Sequence, residues 1–546
     1  MHYVLPFILA MVVTMAGLPL LVRMAGRWKI IDLPGGRKVH TTPIPRVGGL
    51  AMACGVLAAA LWTMDLGGPD RWFLLAAGVL VAFGAWDDRK DLDYRIKLLG
   101  QLLAVGIVVI FGDVQIRSIT LDDSITLPGW IAVPLTVFFL VGITNAINLA
   151  DGLDGLAGGL AFLCLCAVAL LSRFGDSGAS TALALAFAGA VLGFLRFNTY
   201  PASVFMGDAG SQLLGFAIGV LSVRATQGGS EISAAIPVLL LALPILDTLS
   251  VMAQRIREGR SPFSADKNHI HHKLLALGFD HHEAVMVIYA VQGTLFVIAY
   301  FLRFESDIVI LGVVCAFFTA SITAFRVAAR TGWRLRVRSP LGESAPAAQF
   351  LDETQRPKLL PGLTKAAIGL SLAAYAVLIV AETSTLAGDL RILIAALLAV
   401  IVGFVVIMRG APLGGAIEKS VLFVTATLLV YLDAVVLHPD PIISRLCWVA
   451  VSVAAIATAI RLRLLNDRRF QVTPLDLIVV FMALVVPNLP GTLRLPQGGA
   501  LAIAKLVIVF YAIEMLVSRT DDRAVWVRIA TASVLAGLTL RSLAIF

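Results

Sequence analysis

The feature that most constrains this chain is a series of long apolar runs. A transmembrane helix needs about 20 consecutive apolar residues, with a range of roughly 17–25. Eleven runs, several of them short, lie near 3–23, 48–65, 70–86, 97–112, 129–147, 156–172, 181–196, 211–224, 234–253, 284–302 and 307–325. About seven more lie near 364–382, 390–408, 420–437, 446–460, 475–490, 499–518 and 526–544. The sequence therefore predicts an all-α polytopic integral membrane protein.

The composition excludes a water-soluble alternative. Of the 546 residues, 59% are hydrophobic and 14% are charged, whereas soluble domains have about 45–50% and about 25%. The five cysteines all lie inside apolar runs and form no CxxC pair. We interpret them as small buried hydrophobic residues.

The distribution of Lys and Arg predicts the orientation of the first eleven spans. When the loops are assigned alternately to two sides, one side receives 21 basic residues and the other receives five. Because Lys and Arg collect in cytoplasmic loops, the basic side is predicted to be cytoplasmic and the N-terminus outside. The net charge of +8 then reflects topology, and no nucleic-acid partner is expected.

A polar stretch predicts the domain organisation. Residues 331–362 are rich in Arg, Pro, Ser and acidic side chains and contain no apolar run, which is typical of a linker. We expect a transmembrane catalytic domain over 1–330, a cytoplasmic linker over 331–362 and an accessory transmembrane domain of unknown role over 363–546. In the last of these, Glu514 lies inside a predicted span, where a carboxylate is costly.

Five polar clusters lie in the predicted cytoplasmic loops and indicate one site on that face. The first loop contains Lys38, His40 and Arg46. Asp87 and Asp88 end the third span, where one carboxylate can accept a proton or both can hold Mg²⁺. Lys97 follows at the start of the next span, where it can bind a phosphate or extend to the interface as an ordinary Lys.

The third cluster is the sequence NLADGLDG, in which Asn148, Asp151 and Asp154 repeat every three residues. On a helix this spacing places neighbours on one face. The loop contains no Lys or Arg, so the acids have no local partner, and unpaired acids at a membrane boundary are typical of functional sites. Calcium binding is the competing interpretation, but the loop lacks the length and ligand count of an EF-hand.

The last two clusters are VFMGDAGS and DKNHIHHKL. Asp208 precedes a helix predicted to start near Ser211, so it either caps that helix or holds a metal, and Phe205 beside it is suited to stack on a base. The second cluster contains three histidines, His269, His271 and His272. Their spacing is not that of a zinc site, which favours contacts with a phosphorylated substrate.

In this order the clusters resemble those of the polyprenyl-phosphate N-acetylhexosamine-1-phosphate transferases, relatives of phospho-N-acetylmuramoyl-pentapeptide transferase. The matching stretches are residues 37–49, 87–88, 148–159, 204–211 and 266–274. The resemblance covers about residues 1–330. The form DKNHIHH resembles the branch that transfers GlcNAc-1-phosphate, because the muramoyl-pentapeptide branch has three consecutive histidines, a run that Ile270 interrupts here.

The resemblance implies a reaction and its partners. A HexNAc-1-phosphate, with GlcNAc-1-phosphate expected first, would pass from a UDP-sugar to undecaprenyl phosphate, releasing UMP and starting cell-envelope polysaccharide synthesis. UDP-GalNAc and a UDP-6-deoxy-HexNAc stay open as donors. The expected location is the lipid bilayer of the bacterial inner membrane, with the site facing the cytoplasm, and a homodimer stays open. The competing class is a transporter or lipid-linked sugar flippase, which would place its ionisable groups near the bilayer midplane.

The resemblance also implies roles for individual residues. Mg²⁺, or Mn²⁺ in its place, is the expected cofactor, with Asp208 and Asn148 as ligands. Asp87, Asp88 and Asp208 are the expected catalytic residues. Whether Asp87 acts as a base or as a nucleophile stays open, with direct attack by the lipid phosphate favoured. The expected substrate-binding residues are Lys97, Asn148, Asp151, Asp154, Phe205, His269, His271, His272, Lys38, His40 and Arg46.

Overall fold

The computed structural model describes most of the chain. The described residues are 4–34, 43–121, 124–175, 178–227, 230–261, 268–335, 360–383, 391, 394–395, 398, 414–433, 441–465, 499–517 and 524–543. The chain divides into two compact units, whose described helices lie within residues 4–335 and 360–543. Residues 336–359 of the predicted linker lie outside the described residues, so the domain boundaries stay a prediction.

The described part of the first unit contains thirteen α-helices and two short β-hairpins. The helices are α1 (Val4–Trp28), α2 (Gly48–Thr63), α3 (Gly68–Lys90), α4 (Tyr94–Ile110), α5 (Gly129–Ala150), α6 (Leu156–Leu171), α7 (Gly178–Asn198), α8 (Gly207–Thr226), α9 (Ile236–Leu240), α10 (Ala242–Arg257), α11 (Ile270–Ala276), α12 (His281–Phe301) and α13 (Asp307–Thr331). A 3₁₀ turn, Ser172–Gly175, follows α6. The antiparallel strand pairs are β1 (Ile31–Asp32) with β2 (Ile44–Pro45) and β3 (Ser118–Thr120) with β4 (Ser124–Thr126).

The predicted fold class is confirmed. Eight helices among the described residues are long and apolar enough to cross a membrane, and each of the eleven spans predicted for the first unit coincides with a helix. The ninth is divided at Leu241 into α9 and α10. The number of crossings and their orientation stay predictions.

Helix α8 lies at the centre of the first unit. Its residues are buried on every side, and it packs against α2, α3, α5, α6 and α7. A helix that is apolar all round is typical of such a buried position. Near its C-terminal end, Arg224 forms a partly buried ion pair with Asp70 of α3 at 2.7 Å. This pair joins the C-terminal part of α8 to the start of α3, while the N-terminus of α8 meets the other end of α3.

Helices α3 and α8 approach closely at Gly84. A Cβ atom on Gly84 would lie 2.4 Å from the Cα of Ala209 and 2.5 Å from its backbone nitrogen. Backbone atoms cannot rotate out of the way as a side chain can, so any larger residue here would push the two helices apart. A Cβ atom on Gly78, six residues earlier on the same helix, would have no atom within 4 Å.

Replacing Gly84 with Ala is therefore expected to lower stability and activity together. Overpacking a tight contact costs about 1–3 kcal/mol, and the displaced first turn of α8 carries Asp208. Gly78→Ala is the matched control, because it makes the same change in an open position and favours the helix by about 1 kcal/mol. Thermal melts and turnover of the two purified variants measure the difference. Equal behaviour of the two variants would show that the Gly84 contact is not tight.

The second unit is also helical where it is described. Its helices are Leu360–Glu382, Gly414–Tyr431, Pro441–Leu465, Gly499–Val517 and Ala524–Leu543. Its core contains the fully buried Ile368, Ala454 and Ala512. Five of the seven spans predicted here coincide with these helices. The predicted span 475–490, and all but a few positions of 390–408, lie outside the described residues.

A buried polar cluster in the second unit has no counterpart in the sequence analysis. The Nζ of Lys505 lies 2.5 Å from Oδ2 of Asp433, and the hydroxyl of Tyr375 donates to the same oxygen at 2.9 Å. Lys505 also lies over the ring of Trp448, 4.6 Å from its centroid. The cluster joins the three helices that contain Tyr375, Trp448 and Lys505 to Asp433. Buried charges of this kind are tolerable only when they are paired.

Candidate active site

The centre of the candidate site is a Lys side chain between two carboxylates. The Nζ of Lys97, in the first turn of α4, lies 2.5 Å from Oδ2 of Asp87 and 2.8 Å from Oδ2 of Asp208. The Asp87 side chain is only 2% exposed, and its Oδ1 accepts a hydrogen bond from the N–H of Leu92 at 2.6 Å. One cation therefore holds the end of α3 and the start of α8 together, a pairing that the sequence analysis did not predict.

Asp88 has a different role from its neighbour. Its carboxylate accepts hydrogen bonds from the backbone N–H groups of Asp208 at 2.8 Å and Ala209 at 3.1 Å. Gly207 has φ of +69°, and a Cβ there would lie 2.4 Å from Oδ2 of Asp88, so only glycine suits this position. Asp88 thus caps α8 from another helix, in the way a residue at the start of a helix usually does.

This arrangement corrects the predicted start of α8. The helix begins at Gly207 rather than near Ser211, so Asp208 lies inside the first turn and does not cap the helix. The sequence could not reveal this, because the cap comes from Asp88, 120 residues earlier in the chain. Successive residues of a helix point about 100° apart, which is why Asp87 and Asp88 face different partners.

Asn148 also contacts Asp208. Its Nδ2 donates to Oδ1 of Asp208 and to the hydroxyl oxygen of Ser211, both at 2.7 Å. The prediction that Asn148, Asp151 and Asp154 share a helix face is wrong, because α5 ends at Ala150. Asp151 is exposed and follows the helix directly.

Asp154 is not without a partner, contrary to the sequence analysis. Its Oδ2 accepts a hydrogen bond from the N–H of Ala202 at 2.9 Å. Asn198, which the sequence analysis missed, lies beside this contact, accepts from Gly155 N–H and donates to the carbonyl of Val204, both at 2.9 Å. These bonds join the segment 151–155 to the loop that leads into α8.

That loop also holds Phe205 in place through its backbone. The N–H of Phe205 donates to the carbonyl of Pro45 at 2.8 Å, and its carbonyl accepts from Gly48 N–H at 2.9 Å. The Phe205 side chain is half-buried. The segment around β2 therefore packs beside the start of α8, which brings the first predicted cluster to the same region.

A layer of three amide side chains lies one turn further along the helices from the central charges. Nε2 of Gln101 donates to Asn145 and Gln212, both at 3.2 Å, and Asn145 donates back to Gln101 at 2.8 Å. Each lies three or four residues from Lys97, Asn148 or Asp208, on the same helix face. Polar residues at that spacing inside apolar runs were the signal that the sequence analysis missed.

The histidines gather at the short helix α11. The rings of His269 and His271 are parallel, with centroids 5.7 Å apart, and those of His271 and His272 are 4.2 Å apart. Burial, together with the neighbouring His272, lowers the pKa of His271 to about 3. His271 is therefore neutral near pH 7 and can take part in hydrogen bonds but does not supply positive charge.

The first cluster is only partly described. Arg46 forms an ion pair with Asp32 of β1, and its Nη1 lies 3.8 Å from Oδ1 of Asp91. Lys38 and His40 lie outside the described residues. Substrate binding by all three basic residues stays a prediction.

The ligand atoms at the centre of the site suit magnesium better than zinc. Among the described residues, no three His, Cys, Asp or Glu side chains form a group that could hold a metal ion, and a structural zinc site needs four protein ligands. Mg²⁺ usually takes one or two carboxylates and completes its shell with water and substrate phosphates. The carboxylate of Asp208 and the amide of Asn148, with Asp87 nearby, supply oxygen ligands of that kind.

The fold is that of a membrane protein with one cluster of charged side chains at the ends of its helices, and comparison with known proteins supplies the class of enzyme. The profile of glycosyl transferase family 4 matches residues 71–226, the stretch that contains Asp87, Lys97, Asn148 and Asp208. The chain is 38% identical over 295 residues to the probable undecaprenyl-phosphate N-acetylglucosaminyl 1-phosphate transferase of Bacillus subtilis (strain 168), covering 53% of this chain and 81% of that protein.

Two further relatives have similar names. Identity is 37% over 302 residues with decaprenyl-phosphate N-acetylglucosaminephosphotransferase of Mycolicibacterium smegmatis, covering 50% of this chain and 74% of the relative. It is 34% over 275 residues with undecaprenyl-phosphate alpha-N-acetylglucosaminyl 1-phosphate transferase of Escherichia coli (strain K12), covering 49% and 74%. The chain belongs to glycosyl transferase family 4, and the predicted resemblance to its polyprenyl-phosphate N-acetylhexosamine-1-phosphate transferases is confirmed.

Proposed function

We propose that this protein transfers GlcNAc-1-phosphate from UDP-GlcNAc to undecaprenyl phosphate, releasing UMP and starting the synthesis of a cell-envelope polysaccharide. The relatives described above carry names for GlcNAc-phosphate transfer to polyprenyl phosphates. The observation that carries the proposal is the position of Lys97 between Asp87 and Asp208. This charged centre lies at the ends of apolar helices, where a lipid phosphate and a water-soluble nucleotide can meet.

The proposed reaction is a displacement at phosphorus. An oxygen of the lipid phosphate attacks the β-phosphorus of UDP-GlcNAc. The bond between that phosphorus and the oxygen bridging to the α-phosphorus breaks, and the electron pair leaves with UMP. The bond between the sugar and the β-phosphate stays intact. Since two anions must approach each other, stabilisation of negative charge is the main contribution that the protein can make.

The central residues divide this work between them. Lys97 supplies a cation beside both carboxylates. Asp87 orients the lipid phosphate or accepts its proton. Asp208 and Asn148 would hold Mg²⁺, which when bound neutralises charge on the diphosphate. Asp88 acts as a positioning residue, since it holds the backbone of Asp208 rather than facing Lys97.

In this proposal the remaining predicted residues bind the sugar donor, UDP-GlcNAc, and form what we call the donor side of the site. Phe205 stacks on the uracil ring, which a half-buried aromatic side chain suits. Asp151 and Asp154 lie on the nucleotide and metal side, and the three histidines contact the diphosphate and the sugar.

The proposal includes a location. The site faces the cytoplasm of the bacterial inner membrane and the N-terminus lies outside, in agreement with the excess of Lys and Arg in the loops that contain the motifs. We extend the proposal to a homodimer, which native mass spectrometry of the detergent-solubilised protein tests.

A panel of donors tests the proposal most simply. Purified protein is mixed with undecaprenyl phosphate, Mg²⁺ and one UDP-sugar labelled in its sugar, and label is counted in the butanol-extractable lipid. UDP-GlcNAc is expected to label the lipid much faster than UDP-GalNAc or a UDP-6-deoxy-HexNAc. Preferred labelling by either of those two would change the donor. No lipid labelling by any donor would favour a transporter or flippase.

Removing the second unit is expected to leave the reaction intact. A chain ending at Ser344 retains every residue assigned above to the site. It should therefore transfer sugar phosphate in detergent, even if it is less stable than the full-length protein. Turnover, size-exclusion behaviour and a thermal melt are measured on the truncated and full-length proteins side by side. A truncated chain that is well folded yet inactive would show that the second unit is part of the active unit.

A further inference from the structure

A buried carboxylate outside the predicted motifs holds the histidine cluster in place. Asp247 belongs to α10 and is 7% exposed. Its Oδ1 accepts a hydrogen bond from the N–H of Ile270 at 2.7 Å, and its Oδ2 lies 2.9 Å from Nδ1 of His269. The side chain of His269 does not cap α11, so Asp247 satisfies the start of that helix from a different element.

The contact with Asp247 also fixes the state of the His269 ring. When Nδ1–H donates to a carboxylate, the tautomer is set and the ring cannot rotate without breaking the bond. Nε2 is then the nitrogen left to face other groups. A carboxylate behind a histidine is a common way to orient an imidazole for work at its opposite nitrogen.

A continuous path of packed groups leads from Asp247 to the central site. The His269 ring lies parallel to that of His271, which is 3% exposed. His271 in turn packs on Gly152, where a Cβ would lie 2.4 Å from Cε1 of the ring. Gly152 follows Asp151 directly and lies just after the end of α5, whose last turn contains Asn148. A shift of α11 would therefore be transmitted to the donor side.

We propose that Asp247 is a positioning residue for the donor side of the site: it sets the place and the tautomer of His269 and thereby seats His271 against Gly152. Asp247 itself touches no substrate. The inference rests on the proposed function, in which the histidines contact the diphosphate and the sugar. It adds a residue that the motifs do not include.

Asp247→Asn separates the two contacts. The Asn oxygen can still accept from Ile270 N–H, so α11 keeps its cap, while the NH₂ group now faces Nδ1 of His269 and favours the other tautomer. We expect the KM for UDP-GlcNAc to rise about 10–100-fold, taking as a guide the effect of removing the carboxylate partner of a metal-bound histidine. The KM for undecaprenyl phosphate should stay within about twofold, because the path from Asp247 leads to the donor side only. Asp247→Ala, which removes both contacts, should have the larger effect.

Asp307 provides a matched control. It is also a buried carboxylate, the first residue of α13, and accepts from the N–H groups of Thr120 at 2.6 Å and Ala235 at 3.0 Å and from the Ser233 hydroxyl. None of these partners is one of the described site residues. Asp307→Asn should lower the melting temperature without changing the ratio of the two KM values. If Asp247→Asn leaves both KM values unchanged, or changes them together as Asp307→Asn does, Asp247 is only a structural anchor and the inference is overturned.

A double-mutant cycle gives a second test. If Asp247 acts through His269, the effects of Asp247→Asn and His269→Asn on the KM for UDP-GlcNAc should not add, and the double variant should resemble His269→Asn alone. Fully additive effects would overturn the inference.

Binding of UDP-GlcNAc without lipid, measured by calorimetry, separates this inference from the proposed function. A wild-type protein that binds the donor without turnover contradicts the reaction alone, and weaker donor binding by Asp247→Asn would still support the positioning role. An active wild type with an unchanged Asp247→Asn variant contradicts the positioning role alone. A wild type that neither binds nor transfers overturns both.

Discussion

Asp208→Asn is expected to reduce kcat about a thousandfold while the protein still inserts and folds. The substitution keeps the shape of the side chain but removes the negative charge beside Lys97 and Asn148. The loss of one preorganised group at a site of developing charge has effects of about 10²–10³-fold, and loss of the metal ligand would add to it. Turnover at saturating UDP-GlcNAc and lipid measures the change.

The metal part of this prediction has its own controls. In the unmodified protein, EDTA should abolish transfer and Mg²⁺ or Mn²⁺ should restore it, whereas Asp208→Asn should need far more metal or fail to respond. Asp113→Asn removes a carboxylate that is exposed and paired only with Arg117 among the described contacts, and it should behave like the unmodified protein. Full turnover in EDTA would contradict the assignment of a metal to Asp208.

Asp87→Asn is expected to reduce turnover by about 10³–10⁴-fold, while the affinity for UDP-GlcNAc stays within a few-fold. Asp87 is buried against Lys97, and in the proposed reaction it orients or deprotonates the attacking lipid phosphate. Loss of a general base has effects of up to about 10⁴-fold. Turnover is followed with both substrates, and donor binding is measured separately by calorimetry without lipid.

The two readouts distinguish two positions for Asp87. A large loss of turnover with donor binding preserved places its carboxylate on the lipid side. If donor binding collapses instead, Asp87 belongs to the nucleotide side and its proposed role is wrong. The melting temperature of the variant shows whether the change is confined to the site, since Asp87 also accepts the N–H of Leu92.

The sequence was sufficient to predict the membrane helices and the clustering of the central residues. Runs of about 20 apolar residues are typical of membrane-spanning helices. Acidic residues at the ends of such runs need a partner or a function. Asp87, Lys97, Asn148 and Asp208 meet as expected because they lie at the ends of helices that α8 holds together. Their positions at the ends of apolar runs, which are visible in the sequence, were enough to predict that they meet.

The division of roles within the Asp87–Asp88 pair could not be predicted. It depends on which carboxylate faces the N-terminus of α8, and that is set by the packing of Gly84 against Ala209. The three-residue spacing of Asn148, Asp151 and Asp154 gave a wrong result for a related reason. Helical periodicity has meaning only inside a helix, and α5 ends at Ala150.

Single polar residues inside apolar runs were the other omission. Asp247 and Gln101 each have their partners in distant segments, so their sequence neighbourhood contains no sign of the contact. The same holds for Asp433 and Lys505 in the second unit, which are 72 residues apart. Such residues are visible as candidates because burial of a lone polar group in a membrane is costly, but their partners follow only from tertiary structure.

The central claim is that the phosphate moves together with the sugar, and one labelling experiment tests it directly. Purified protein is given undecaprenyl phosphate and UDP-GlcNAc labelled with ³²P at the β-phosphorus only. The proposed reaction predicts that the ³²P appears in the butanol-extractable lipid in a 1:1 ratio with GlcNAc and that the released UMP carries none. Label that stays in the aqueous phase as UDP while GlcNAc enters the lipid would mean that the sugar moves without its phosphate, and would contradict the proposed function.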